Sequence, residues 1–395
     1  MFASTAESPT RNARLRCGAL ALCLLAFGGV SRAQSSSGED FDDLARRAEA
    51  ALDSRPTEAA SLYKQALAIR SGWAEGWLYL GGVLYRLTRY AEASDAFRKG
   101  LALAPEKGTA WAFLGLNEAE LADQDQALAD IRKGEQLGLG NNHEFEIAVR
   151  VKAAEILIRS WAYDEALAQL QPLGRRGDNT PAIVQAMGLC ALGFPDTFSQ
   201  LPPARQAVVE LAGKAAWASA SQHPEEAAAG YRELLRQYPD EPGVHYAYGL
   251  YLEETDLNGA LAEFQKEARI SPKHWPALLV IASVEMRQGD PEPAIQSLKD
   301  AMKSVTPKYR WLCHAELGRA NMIADNLDAA IAELQTAVRL MPSQPNIHFF
   351  LSEACRRAGK KTEAEKERAE FEKLKVQQDP LGVPTWRPFG SSEKN

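Results

Sequence analysis

The chain has 395 residues, of which 45 are basic and 52 acidic, for a net charge of −7. That balance argues against a nucleic-acid partner, because phosphates need a basic face. With 46% hydrophobic and 25% charged residues, the composition is that of a folded protein with a sizeable core, which excludes wholesale disorder.

The segment Met1 to Ala33 stands apart. Arg11, Arg14 and Arg16 precede an apolar run from Cys17 to Val30, and Ser31-Arg32-Ala33 places small residues ahead of a cut after Ala33. This order of basic, apolar and small-residue segments predicts a secretory signal peptide over 1–33. The run is too short to span a bilayer comfortably; an uncleaved anchor or a transit peptide is the alternative. The segment holds four Arg and one Glu, so the mature chain would carry 41 basic and 51 acidic residues, a net charge of −10. Residues 34–40 read as a flexible, Ser-rich leader. Cys190, Cys313 and Cys355 remain after cleavage, an odd and sparse set that reads as buried packing rather than a disulfide framework.

From residue 41 one spacing dominates. Trp77, Leu80, Gly81, Ala93 and Phe97 recur one period later as Trp111, Leu114, Gly115, Ala127 and Ile131, and Pro105 closes the first copy. Ala59, Tyr63 and Leu67 echo it one period earlier, and Ala153, Tyr163, Ala166 and Leu170 form a looser copy. This predicts an N-terminal array over 41–176. Next, Thr180 to Leu192 reads as a helix with Met187-Gly188 in the Leu-Gly place, while Gly193 to Arg205 holds three prolines and no second-helix marks. Pro203 suits the start of another helix running to about Ser219. Residues 177–205 are therefore expected to be an irregular insertion or hinge. The tripeptide Arg176-Gly177-Asp178 is too short to assign adhesion.

A second array is predicted over 206–376. Its marks are Ala227, Tyr231 and Pro239; then Gly249, Ala260, Phe264 and Pro272; then Ala282, Ala294 and Leu298; then Gly318, Ala330, Leu334 and Pro342; then Leu351, Ala364 and Phe371. Thr362 to Gln377 reads as a capping helix. Residues 377–395, with Pro380, Pro384, Pro388, Trp386 and Phe389, read as a disordered tail or one that docks its aromatics.

The pattern resembles the tetratricopeptide repeat, W-x2-L-G-x2-Y then A-x3-F then P. Trp77, Leu80, Gly81, Ala93, Phe97 and Pro105 match it residue by residue; Leu84 and Glu118 stand where Tyr is usual. The resemblance implies an all-α fold, an α-solenoid of stacked helix-turn-helix repeats forming a right-handed superhelix. Small residues then sit where helices approach, large ones fill the gaps, and Pro ends the second helix. Trp77, Leu80, Gly81, Ala93, Phe97, Pro105, Trp111, Gly115, Ala127, Gly249, Ala260, Phe264, Pro272, Gly318, Ala330 and Pro342 thus read as structural.

No catalytic, phosphate-binding or cofactor motif appears, so no cofactor and no enzyme activity are expected. Gly138-Leu139-Gly140 reads as a helix-ending loop, and Cys313-His314 lacks the second Cys of a haem site. His245, His314 and His348 share the slot of Trp77 and Trp111, where packing accounts for a large ring. The resemblance implies a concave groove that binds peptide segments or proteins. Counted from the Trp slot, its contacts are Leu78, Tyr85, Arg86, Leu116, Tyr246, Leu250, Leu279, Met286, Arg287, Arg319, Met322 and Phe349; aromatics, Met and Arg are enriched at interface cores. The Lys/Asn/Arg clamp of carboxylate-gripping members is absent, since Leu78, Gly82 and Phe113 hold those slots. The expected function is a non-catalytic scaffold in the bacterial envelope, periplasmic or secreted, serving assembly, secretion or export. A self-assembling homo-oligomer, or an enzyme using 177–205, are the alternatives.

Overall fold

The computed structural model describes residues 36–378 except residue 254, with side chains from 40 to 375. The expected signal peptide and residues 379–395 lie outside the described residues. Nineteen α-helices and no strands are present among the described residues. The described residues divide into two compact units, 36–160 with Ala168–Leu173, and Trp161–Leu167 with 174–378.

The first unit stacks the hairpins α1 (Ser36–Ala51) with α2 (Pro56–Ile69), α3 (Ala74–Arg86) with α4 (Tyr90–Leu103), and α5 (Gly108–Glu120) with α6 (Gln124–Leu137), followed by α7 (His143–Arg159). Its core runs from Ala48 through Leu62, Leu80, Phe97 and Phe113 to Phe145. The division between units falls within α8 (Tyr163–Arg175). The second unit holds α9 (Pro181–Leu192), α10 (Pro203–Ala220) with α11 (Pro224–Gln237), α12 (Val244–Leu252) with α13 (Leu257–Ile270), α14 (Trp275–Gln288) with α15 (Pro291–Ala301), α16 (Arg310–Ile323) with α17 (Leu327–Leu340), and α18 (Pro345–Arg357) with α19 (Lys361–Gln378).

Several of these hairpins close on a glycine. A Cβ on Gly81 would stand 2.7 Å from the Phe97 ring, one on Gly249 2.5 Å from Phe264, and one on Gly318 2.4 Å from Leu334. The Leu-Gly place thus lets the first helix rest on the large residue of the second. The turn between the two helices also recurs. Thr88, Ala122, Gln222 and Asp325 occupy it with φ of 58° to 64°, a left-handed step that reverses the chain after the first helix. Proline stands at the start of α2, α11, α15 and α18, where its missing N–H costs no intrahelical bond.

Two expectations need revising. α1 begins at Ser36, inside the stretch read as a leader; its serine and acidic residues are types that favour a helix start. And 177–205 is not irregular throughout. α9 packs directly on α10, and the contact is reciprocal: a Cβ on Gly188 would lie 2.0 Å from the Val209 carbonyl oxygen, and one on Gly213 2.0 Å from that of Val184. Glycine at both crossings brings the two main chains together. Pro195 and Pro202 lie in the connection between them, which includes the 3-10 turn Phe198–Gln200, and Pro203 opens α10.

Candidate protein-binding surface

The ring slot in the first turns of the first helices does more than fill space. The Trp77 Nε1–H donates to the Ser71 carbonyl at 2.8 Å, and Trp111 Nε1–H to the Pro105 carbonyl at 2.9 Å. His245 and His348 place Nε2 2.9 Å from the carbonyls of Pro239 and Pro342. In all four the carbonyl lies six positions earlier, so one ring nitrogen fastens the preceding interhelix linker. The histidines add a second tie, through Nδ1, to a carboxylate on the following helix: His245 to Glu263 at 2.5 Å, His314 to Glu333 and His348 to Glu367 at 2.6 Å. With acceptors at both nitrogens, the rings of His245 and His348 satisfy them fully when both nitrogens carry protons. Among the described residues no group of three or more His, Cys, Asp or Glu is placed to hold a metal ion.

The structure separates the twelve expected groove residues. Leu78, Leu116, Tyr246, Leu279, Met286 and Met322 are buried. Leu78 lies over Gly100, and the Tyr246 ring packs 5.8 Å from Phe264 and 4.8 Å from His274. Leu78, Tyr246 and Leu279 lie on the first helices of their hairpins, as do Ala112 and Ala315, and all five are covered by packing. Phe349, on α18, is half-buried, 5.5 Å from Phe371.

Arg86 and Arg287, expected to face a ligand, both reach back to the preceding hairpin instead. Arg86 donates to the Leu52 carbonyl at 2.9 Å and the Asp53 carbonyl at 3.2 Å. Arg287 donates to Glu253 at 3.2 Å. Arg357, which no sequence mark singles out, donates to the Met322 carbonyl at 2.8 Å and to Asp325 at 2.7 Å. A helix end leaves carbonyls unpaired and carries a partial negative charge, so a cation one repeat on completes it. The signal available in the sequence is a spacing: an Arg one repeat beyond a helix C-terminus.

Tyr85, Leu250 and Arg319 remain half-buried on their first helices. Arg319 pairs with Glu316 and lies 5.3 Å from the Phe350 ring; burial pushes the Glu316 carboxyl above its ordinary range despite that partner. In the first unit Tyr85 neighbours two further surface features that the repeat pattern does not mark. Tyr79 stacks on Tyr63 at 5.8 Å, and Gly82 has open space where a Cβ would stand. Tyr79, Gly82 and Tyr85 follow one another at intervals of three on α3, so they share a helix face. That strip offers two aromatic rings flanking bare main chain.

A stack of two-helix units whose core marks return with each unit defines a helical-repeat protein. The family model for the tetratricopeptide repeat matches residues 74–107, 212–274 and 315–370. Over these stretches the chain carries tetratricopeptide repeats. No curated protein matches its sequence. Among solved structures, "MamA 41-end from Desulfovibrio magneticus RS-1" is similar at 22% identity and a TM-score of 0.40, covering 44% of this chain and 97% of that one. Another structure of a MamA protein matches at 14% identity and a TM-score of 0.40, covering 46% of this chain and 100% of that one. The structure titled "Crystal structure of APC/C hetero-tetramer Cut9-Hcn1" is similar at 16% identity and 0.34, covering 90% of this chain and 83% of that one.

Proposed function

We propose that the protein is a non-catalytic adaptor that holds peptide segments or other proteins on the half-buried strips of its first helices. Tetratricopeptide-repeat proteins bind protein partners, and no helix among the described residues is long and apolar enough to cross a membrane. The observation that carries the reading is the Tyr79–Gly82–Tyr85 strip, because tyrosine supplies contact area and a polar tip at low entropic cost. We further propose that the protein works in the bacterial envelope after cleavage near Ala33, on the strength of the basic-apolar-small leader.

The test is affinity capture of the mature chain from its native envelope fraction, with partners identified by mass spectrometry, repeated with Tyr79→Ala and Tyr85→Ala combined. Loss of the partner with unchanged helical circular dichroism supports the strip. Unchanged capture moves the interface elsewhere. Substituting Tyr246 or Met286 is not a clean probe, since both are packed in the core. The mass of the exported chain reports the cleavage.

A further inference from the structure

We propose that the second unit carries a pocket for one aromatic side chain bearing a hydrogen-bond donor, the phenol of a tyrosine or the indole of a tryptophan in a peptide. A cleft of about 470 Å³ is lined by Trp161, Phe194, Pro195, Pro242, Pro272 and His274, among others. Its walls come from loops: the turn before α8, the exit of α9, the entry to α12 and the link from α13 to α14. They are aromatic and proline surfaces, the kind on which a planar ring packs.

One polar group in this wall is held ready and left unused. Glu267, with no exposed side-chain surface, accepts the Gly243 N–H on both oxygens, at 2.9 and 3.0 Å, and faces His274 Nδ1 at 3.1 Å. With Nδ1–H donating to Glu267, a neutral ring leaves a lone pair on Nε2. The His274 side chain is only 9% exposed, yet Nε2 has no hydrogen-bond partner among the described residues. A buried acceptor without a donor is rare in folded proteins and marks a place where a ligand can supply one. Nε2 lies against Gly193, which also lines the cleft; a Cβ there would stand 2.6 Å from it.

Trp161 points the same way. It occupies the left-handed turn position, with φ of 64°, that other hairpins give to Thr88, Ala122, Gln222, Asp325, Gly289 and Gly359. A bulky side chain is an outlier in that conformation. Here it sets the indole in the cleft wall, 5.4 Å from the Trp275 ring. A ring lodged between Trp161 and Phe194 with a donor at Nε2 satisfies the apolar walls and the idle acceptor together; a phenylalanine ring satisfies only the walls.

Calorimetric titration of the full chain with N-acetyl-tyrosinamide, N-acetyl-tryptophanamide and N-acetyl-phenylalaninamide tests this. Saturable binding is expected, with the first two at least about tenfold tighter than the third. His274→Phe abolishes that preference, and Trp161→Gly weakens all three ligands while the chain stays helical. Equal binding of the tyrosine and phenylalanine amides, a preference that survives His274→Phe, or no saturable binding overturns the proposal. The pocket is built from loops and not from the α3 strip, so the two readings fail independently.

Discussion

His348 and Glu367 meet at 2.6 Å across the α18–α19 hairpin, while the other ring nitrogen of His348 holds the Pro342 carbonyl. Trp111 makes the linker bond alone. In these copies the slot uses a ring N–H, not merely a large side chain. Trp111→Phe keeps the ring and removes the donor, and is expected to cost about 0.5–1 kcal/mol in urea denaturation, the low end for a solvent-accessible hydrogen bond. His348→Phe removes both ties and should cost more, since it also strands Glu367.

Gly188 and Gly82 predict opposite outcomes for the same substitution. Gly188→Ala drives a methyl into the Val209 carbonyl and should destabilise by about 1–3 kcal/mol or more, as overpacking does. Gly82→Ala meets nothing within 4 Å and should stabilise α3 by about 0.5–1 kcal/mol through helix propensity. Thermal melts of the two variants give the comparison.

Arg86→Ala should loosen the hairpin before it rather than its own. Its two bonds to the end of α1 join a guanidinium that is 17% exposed to main-chain carbonyls; hydrogen bonds of charged groups are worth about 1.5–3 kcal/mol. Hydrogen exchange is expected to quicken over residues 45–70 with little change beyond 110. Exchange that rises evenly along the first unit would count against a local clamp.

Two carboxylates give opposite pH dependence. Burial pushes the Asp130 carboxyl up to about 6, only partly offset by the hydrogen bond from Gln126. Its folded value lies above the unfolded one, so stability is greatest below the unfolded value and is lost as pH rises through about 6. Asp130→Asn should therefore gain about 1–2 kcal/mol at pH 7, allowing for solvent screening, and little at pH 4. Burial also raises the Glu263 carboxyl, but hydrogen bonds from Lys266 and His245 outweigh it and hold the group below its ordinary range. That contribution is present above the unfolded value and fades as pH falls through the lower folded one. Glu263→Gln should flatten the acid limb of the stability profile.

The three cysteines should resist alkylation in the native chain. Cys190, Cys313 and Cys355 are buried and unbridged, and burial pushes the Cys313 thiol up to about 12. Thiolate is the reactive form, so labelling should require unfolding; rapid native modification of Cys313 would show that α16 opens.

The all-α solenoid was legible because its marks are geometric necessities. Gly81 and Phe97 must be small and large for one helix to rest on another, and the requirement returns with each unit. The groove was less legible. Periodicity states which helix face a residue occupies but not which neighbour covers it, so Leu78, Tyr246 and Leu279 read as ligand contacts although they pack inside the stack. Arg86 and Arg287 mislead for a related reason: their partners lie one repeat back, at helix ends that no local window contains. The α9–α10 contact escapes the pattern because its second helix carries Gly213 and Val209 rather than the Ala and Phe of an ordinary second helix.

α10 bears a consequence of that contact. Gly213 meets α9, and two positions on, Ala215 meets Gly230 of α11. Repeat proteins are usually editable: a unit can be excised or duplicated at its loops and the remainder re-zips. Here one helix serves two seams at once, so α9, α10 and α11 are inherited or lost as a block of three. A chain shortened by cutting at residue 202 would leave α10 with an orphaned glycine flank, whereas removing α16 and α17 together would not.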